Sequence, residues 1–252
     1  MSTKLRVALV TGSGKKRIGW HVAHELARHG YALVVHYRSS ARDATEGVAH
    51  FQSLGVDAIA IQADLRREDE VRRMVGKTLD HYGRLDVLVA CAAIWKAKRF
   101  EDVTADDVRE HFETNTLGSF LCAQQAGLAM VRQPEGGAIV LVGDWAEVRP
   151  YLDHAAYFPS KGAIPALTRT LAVELGTRNP NVRVNAILPG PVLLPEDLPE
   201  TERREAIEAT LVKREGNPEN VARAAWSLIE NDFVTGVCLP VDGGRTVYAG
   251  GW

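Results

Sequence analysis

The chain has 252 residues, 46% hydrophobic and 25% charged, which excludes a disordered or fibrous protein and supplies enough apolar surface for a full core. A formal net charge of -2 at pH 7 gives no bulk electrostatic case for nucleic acid or an acidic membrane. Cys91, Cys122 and Cys238 are far apart and odd in number, which reads as thiols in a reducing compartment; glycine interrupts the N-terminal apolar run before signal or membrane length, so a cytoplasmic location is expected.

In chain order, the apolar run "RVALV" is followed by a segment of helical period from Ile18 to His29, then "YALVVH", a helix from Ala41 to Leu54, "DAIAIQ", a helix from Glu68 to Tyr82, and "LDVLVAC". The second half adds a helix near Leu117 to Arg132, the strand "GAIVLVG", a long helix around Ala155 to Arg178, and "VRVNAIL". Helical segments near Glu202 to Lys213 and Pro218 to Glu230 precede a closing strand, "GVCLPV". Strands alternating with helices predict right-handed βαβ units: an α/β fold with about seven strands in one parallel sheet and helices on both faces. The proline-rich stretch from Pro189 to Pro199 opens an irregular segment, around residues 190–215, that predicts a lid over the carboxyl ends of the strands.

"VTGSGKKRIG" lies between the first strand and the first helix, where backbone N–H groups and the helix N-terminus can face a pyrophosphate; Gly12, Gly14 and Gly19 permit close approach. A carboxylate at the end of the second strand would accept the ribose hydroxyls of NAD, whereas cations and hydroxyls suit the extra phosphate of NADP. The strand ends "HYRSS", with Arg38, Ser39 and Ser40, and Arg17 can converge there from the first loop, so NADP(H) is expected. A solvated arginine is the bland alternative for each of the two.

Tyr157 and Lys161, four residues apart, share one face of a predicted helix. The ammonium is expected to lower the phenol's pKa towards a usable proton donor or acceptor. Tyr-x-x-x-Lys spacing alone is also what a solvated helix face produces.

The pieces "TGSGKKRIG", "ADL" at Ala63 to Leu65, "ETNTLG" with Asn115, Tyr157 with Lys161, "RVNAILPG" and "VDGG" stand in one order, and in that order the chain resembles a short-chain dehydrogenase/reductase over nearly its whole length. The resemblance implies a single Rossmann-type domain over 1–252, with Tyr157 as acid/base, Lys161 on the nicotinamide ribose, and Asn115 on a water-linked proton path. It also implies Asp64 at the adenine and Pro189 with Gly190 facing the nicotinamide. The implied cofactor set is Gly12, Gly14, Arg17, Ile18, Gly19, His36, Tyr37, Arg38, Ser39, Ser40, Asp64, Leu65, Pro189, Gly190 and Val192, with Tyr157 and Lys161.

Within the family the chain is most similar to pteridine reductases. Asp144 stands thirteen residues before Tyr157, where most of the family carries serine; "KRIG" with Arg17, "HY" before "RSS", and "PGPVLL" before "PED" agree. Trp95 falls where such enzymes stack the pterin on the nicotinamide. A fixed carboxylate opposes charge building on a ketone oxygen, whereas protonating a C=N nitrogen suits a carboxyl raised by burial. The expectation is therefore hydride transfer from NADPH to a pterin or dihydrofolate-like C=N, with Asn115, Asp144, Tyr157 and Lys161 catalytic and Trp95, Asp144 and Tyr157 at the substrate. A carbonyl or alcohol reductase of the same family and a non-catalytic NADP-binding regulator are the alternatives.

The glycine loop is one residue longer than the family's commonest form, and "ACAA" at Ala90 to Ala93 lacks the asparagine that usually braces the central strand. His21 and His24 share a helix face without a carboxylate or cysteine, so no metal is expected. The resemblance implies a homotetramer, with the tail ending in Trp252 reaching a neighbouring subunit. A small-molecule substrate is expected, with no nucleic acid and no membrane.

Overall fold

A computed structural model describes residues 5–248; Trp252, expected at a subunit contact, lies outside them. The strands are β1 (Val7–Thr11), β2 (Ala32–Tyr37), β3 (Ala58–Gln62), β4 (Val87–Ala90), β5 (Gly137–Val142), β6 (Val182–Pro189) and β7 (Cys238–Val241). The helices are α1 (Ile18–Arg28), α2 (Ala41–Ser53), α3 (Glu68–Tyr82), α4 (Ala105–His111), α5 (Gly118–Val131), α6 (Tyr157–Gly176), α7 (Glu200–Glu208) and α8 (Pro218–Glu230).

Every strand pairing is parallel, in the order β3-β2-β1-β4-β5-β6-β7. Side chains alternate across each strand: Val7 and Leu9 of β1 join the core beneath α3, α5 and α6, while Ala8 and Val10 join the core beneath α1, α2 and α8. With both faces covered, β1 reads as an unbroken apolar run instead of an alternating one. Strand order reverses direction between β1 and β4, which opens a crevice at their carboxyl ends. No helix among the described residues is long and apolar enough to cross a membrane.

Helix ends follow local chemistry. α3 begins on Glu68, Asp69 and Glu70 and stops at Gly83, whose φ of 72° is left-handed. α8 is fixed by Asn217, whose side chain accepts from Asn220 N–H while the Asn220 side chain returns the bond, with Pro218 at the first turn. Its last carbonyls, those of Leu228 and Ile229, accept from the Arg183 guanidinium.

Two expected elements differ. The helix near Leu117 is preceded by α4 and by a π-helical stretch, Phe112–Leu117, that carries Asn115 at its centre. The helix expected from Glu202 to Lys213 ends at Glu208: α7 has no buried residue to prolong it, and the chain beyond it is tied down when Leu211 N–H donates to the Gly243 carbonyl at 2.8 Å. The expected lid is held at its base, where Gly216 N–H donates to the Pro191 carbonyl at 3.0 Å and Val192 pairs with Gly216.

Candidate active site

The turn after β1 is shaped to lie against a ligand. Gly12 has φ +67°, and a Cβ on it would stand 2.9 Å from the Ala92 backbone; a Cβ on Gly14 would stand 2.9 Å from Tyr37, and one on Gly19 2.9 Å from the Gly12 carbonyl. Arg17 occupies the N-cap of α1 without a side-chain cap, and its extended backbone turns the chain into Ile18. Trp20 and His21 N–H donate to the Arg17 carbonyl, which leaves the Ile18 and Gly19 N–H groups of the first turn without a partner among the described residues, donors of the kind a pyrophosphate needs.

His36 corrects one expectation. Its imidazole is buried; Nδ1 accepts from Gly12 N–H at 3.0 Å and the Nε2 hydrogen goes to the Ala63 carbonyl at 3.0 Å, so it shapes the turn from within and has no nitrogen left for a cofactor. Burial holds it neutral, with its pKa pushed down to about 4. Leu65 is likewise buried, in contact with the position a Gly118 Cβ would fill. Tyr37 is half-buried, Arg38 and Ser39 are exposed at the end of β2, Arg17 is exposed at the start of α1, and neither arginine has an ion pair among the described residues. The Asp64 carboxylate is gripped by Arg66, which lowers its pKa, and Arg38 adds to that field. The glycine turn thus offers an anion cradle, with the guanidinium groups of Arg17 in that turn and Arg38 after β2 both without an ion pair among the described residues, a set that fits a dinucleotide.

At the carboxyl end of β5, Asp144 caps the short 3-10 turn Trp145–Glu147 through Ala146 N–H at 2.8 Å. Its other oxygen accepts the Tyr157 O–H at 2.8 Å. Lys161, one turn further along α6, is buried and donates to the Val142 carbonyl of β5 at 2.7 Å. Burial raises the Asp144 pKa against the Ala146 and Tyr157 hydrogen bonds and the Lys161 charge. The expected lowering of Tyr157 is not found: burial, the Asp144 charge and the Asp144 hydrogen bond raise the phenol well above its ordinary value. Burial also lowers the Lys161 ammonium, opposed by Asp144.

The carboxamide of Asn115 is committed to structure. Oδ1 accepts from Ile94 N–H at 2.8 Å, and its two N–H groups go to the Ile94 carbonyl and to Ser160 Oγ, each at 3.0 Å. Ala92 N–H donates to Thr11 Oγ1 at 3.1 Å. These bonds brace the chain beyond β4, the task that "ACAA" cannot perform. Pro189 ends β6 in register with Val241 of β7, Gly190 follows with its N–H donating to the Val241 carbonyl at 3.0 Å, and Val192 sits half-buried where it pairs with Gly216.

Trp95 keeps 45% of its surface exposed, and its ring stacks on His154 with centroids 4.7 Å apart. His154 donates from Nδ1 to the Leu152 carbonyl at 2.8 Å and packs edge-on against Tyr151 and Tyr157. Sequence reasoning passed over His154, Tyr151 and Glu147; single residues in an irregular loop carry no periodicity that would mark them.

A family model described as "Enoyl-(Acyl carrier protein) reductase" matches residues 12–246. L-rhamnose 1-dehydrogenase (NAD(P)(+)) of a Sphingomonas species is 34% identical over 248 residues, covering 96% of both chains. Versicolorin reductase of Emericella nidulans is 34% identical over 256 residues and 95% of each chain. The structure of acetoin dehydrogenase from Enterobacter cloacae superposes with a TM-score of 0.88 at 30% identity, covering 100% of this chain and 99% of that one. Glycine turn, parallel sheet, Tyr157 with Lys161 and these likenesses converge: the chain is an oxidoreductase of the short-chain dehydrogenase/reductase family, which works with NAD(P).

Proposed function

We propose that the chain interconverts a carbonyl compound and its secondary alcohol, with NADP(H) as the preferred hydride carrier. The observation that carries this reading is the pair of buried Tyr157 and half-buried Asp144, 2.8 Å apart at the carboxyl end of β5, with Lys161 anchored to the same strand. When bound, the dinucleotide supplies or accepts hydride at carbon. The chain's own residues handle the proton and the charge that develops on oxygen.

Asp144 is the unusual member, and its burial suggests how it serves. Burial favours the acid form of Asp144; on taking up a proton the carboxyl reverses the bond it now accepts from Tyr157, donating to the phenol oxygen and freeing the phenol O–H for the substrate oxygen. In that state it adds no negative charge beside a forming oxyanion, so the objection to a carboxylate at this position disappears. Lys161 stabilises a phenolate when the proton leaves, and its bond to Val142 fixes its direction.

The substrates in the names of the relatives, a sugar, a hydroxyketone and versicolorin, favour carbonyl or alcohol chemistry over the C=N of a pterin. Arg17, Arg38, Ser39 and Ser40 favour the phosphorylated coenzyme. A second reading, reduction of a dihydropterin, draws support from Asp144 itself, because a protonated buried carboxyl beside a phenol is suited to delivering a proton to nitrogen. Trp95, half-exposed and stacked on His154, is an aromatic that would stack such a substrate.

The test is NADPH oxidation with hydroxyketones, aldoses and dihydropterins, in wild type and Tyr157→Phe. The variant is expected to lose roughly 10²–10⁴ in kcat while binding the dinucleotide as before. Full activity in Tyr157→Phe overturns the assignment; turnover confined to dihydropterins selects the second reading.

A further inference from the structure

The turn that carries Asp144 is held from outside its own strand. Glu147 closes this turn and Arg149 extends it, with the Arg149 N–H donating to the Ala146 carbonyl at 3.2 Å. Two acids sit side by side there: burial and the Asp144 charge push the Glu147 carboxyl up to about 7, so charge within the turn works against its shape. The hold comes from the segment that follows β7. Arg149 Nη1 donates to the Arg245 carbonyl at 2.8 Å and to the Tyr248 carbonyl at 2.5 Å. In return, the guanidinium carbon of Arg245 lies over the Trp145 ring, 5.1 Å from its centre.

Each side of this clasp is fixed in turn. Asp242, the residue after β7, folds the segment over: Oδ1 accepts the Gly244 N–H at 2.9 Å, and Oδ2 accepts the N–H and the hydroxyl of Thr246, both at 2.6 Å. Lys213, past the end of α7, places its ammonium 4.4 Å from the centre of the Tyr248 ring. On the other side, Trp145 packs against the buried cluster of Ala146, Tyr157 and Phe158. The Asp144 carboxyl spans turn and helix, since Ala146 N–H and Tyr157 O–H both reach it at 2.8 Å. Hydrogen bonds weaken steeply with misalignment, and those from an ionised donor such as the half-buried Arg149 are about twice as strong as neutral ones. Moving the turn therefore moves the carboxyl off the phenol.

We propose that Arg149 is a positioning residue: its two bonds to the segment 242–248 keep the turn where the Asp144 carboxyl meets the Tyr157 phenol, and they make that segment part of the active site. The inference rests on the carbonyl and alcohol reading above. In this role Arg149 handles neither proton nor hydride; it fixes the distance over which the acid and the phenol share a proton. Its loss therefore falls on the rate of the chemical step and leaves binding alone.

Arg149→Met keeps an unbranched side chain and removes its donors. It should lower kcat about tenfold, with KM for the carbonyl compound and dinucleotide affinity within about twofold of wild type. Arg149→Lys keeps a charged donor and should bring kcat back to within about threefold of wild type. Amide hydrogen exchange reads the turn without turnover: residues 143–150 should exchange about tenfold faster in Arg149→Met and close to the wild-type rate in Arg149→Lys. If Arg149→Met does not fold, Thr246→Val, which removes the hydroxyl bond to Asp242 at the far end of the clasp, must speed the same exchange and lower kcat with KM unchanged. Unchanged exchange or unchanged kcat in Arg149→Met, a loss confined to KM, no recovery in Arg149→Lys, or neither change in Thr246→Val where that variant is needed, overturns the inference. Failure of wild type to turn over any carbonyl overturns the parent reading instead, and the exchange rates then decide the clasp alone.

Discussion

Asp144→Ser separates the two substrate classes. It removes the carboxyl that accepts the Tyr157 O–H and the Ala146 N–H, both at 2.8 Å, and leaves a neutral hydroxyl. Two of the causes that hold the phenol pKa up, the Asp144 charge and its hydrogen bond, vanish while burial remains, so Tyr157 becomes the more acidic donor. A hydrogen bond between neutral groups contributes about 0.5–1.5 kcal/mol. At about 1.4 kcal/mol per decade, any step that needs the carboxyl therefore slows by roughly 2- to 12-fold from this bond alone, and by up to about 10⁴ if the carboxyl is the acid itself. Carbonyl reduction, served by the new hydroxyl and the freed phenol, should hold kcat/KM within about threefold. NADPH oxidation with one hydroxyketone and one dihydropterin, in wild type and variant across pH, gives both numbers. An equal hundredfold loss with both substrates would refute the claim that the acid form of Asp144 does a hydroxyl's work.

Gly19→Ala places a Cβ 2.9 Å from the Gly12 carbonyl oxygen and 3.1 Å from its carbon, atoms that cannot swing aside. It should weaken dinucleotide binding about tenfold and cost about 1–3 kcal/mol of stability, read by fluorescence titration and denaturant unfolding; unchanged affinity removes the cradle from the turn. Arg38→Ala should lower the preference for NADPH over NADH about tenfold, with the loss shrinking in high salt, and an unchanged ratio excludes Arg38 as the phosphate's partner. Glu147→Gln should raise the melting temperature relative to wild type more at pH 8 than at pH 5. The Glu147 pKa is raised in the folded chain, from an ordinary 4.5 to about 7, so wild type loses stability as pH rises through that window and the variant does not. A gain equal at both pH values would place the carboxyl in water.

Legibility in the sequence followed signal strength. α3 and α8 run over the residues expected, because an acidic first turn with Gly83 behind it, and Asn217 with Pro218, are local marks. The same kind of mark, Thr104 with Asp107, announces α4, yet that helix is too short to show a period and was not anticipated. α7 ends early because it has no apolar face to extend. In the site, Asp144 and Tyr157 were matched by spacing, and they do meet. The direction of the Tyr157 shift was not legible, since it depends on depth of burial and on Asp144 rather than on the nearby lysine. His36 was misassigned for a related reason: "HY" places it at the strand end but cannot tell which face its ring takes.

The neck formed by Pro191, Val192 and Gly216 makes the segment above it a cassette. Its two stems are already joined, so lengthening or replacing residues between them changes closure entropy by only about 0.6 kcal/mol per doubling and leaves β6 and β7 in register. Transplanting this segment from another dehydrogenase should therefore exchange the molecules that are accepted while sparing the hydride chemistry at the strand ends below, and diversification of this chain has its cheapest route there.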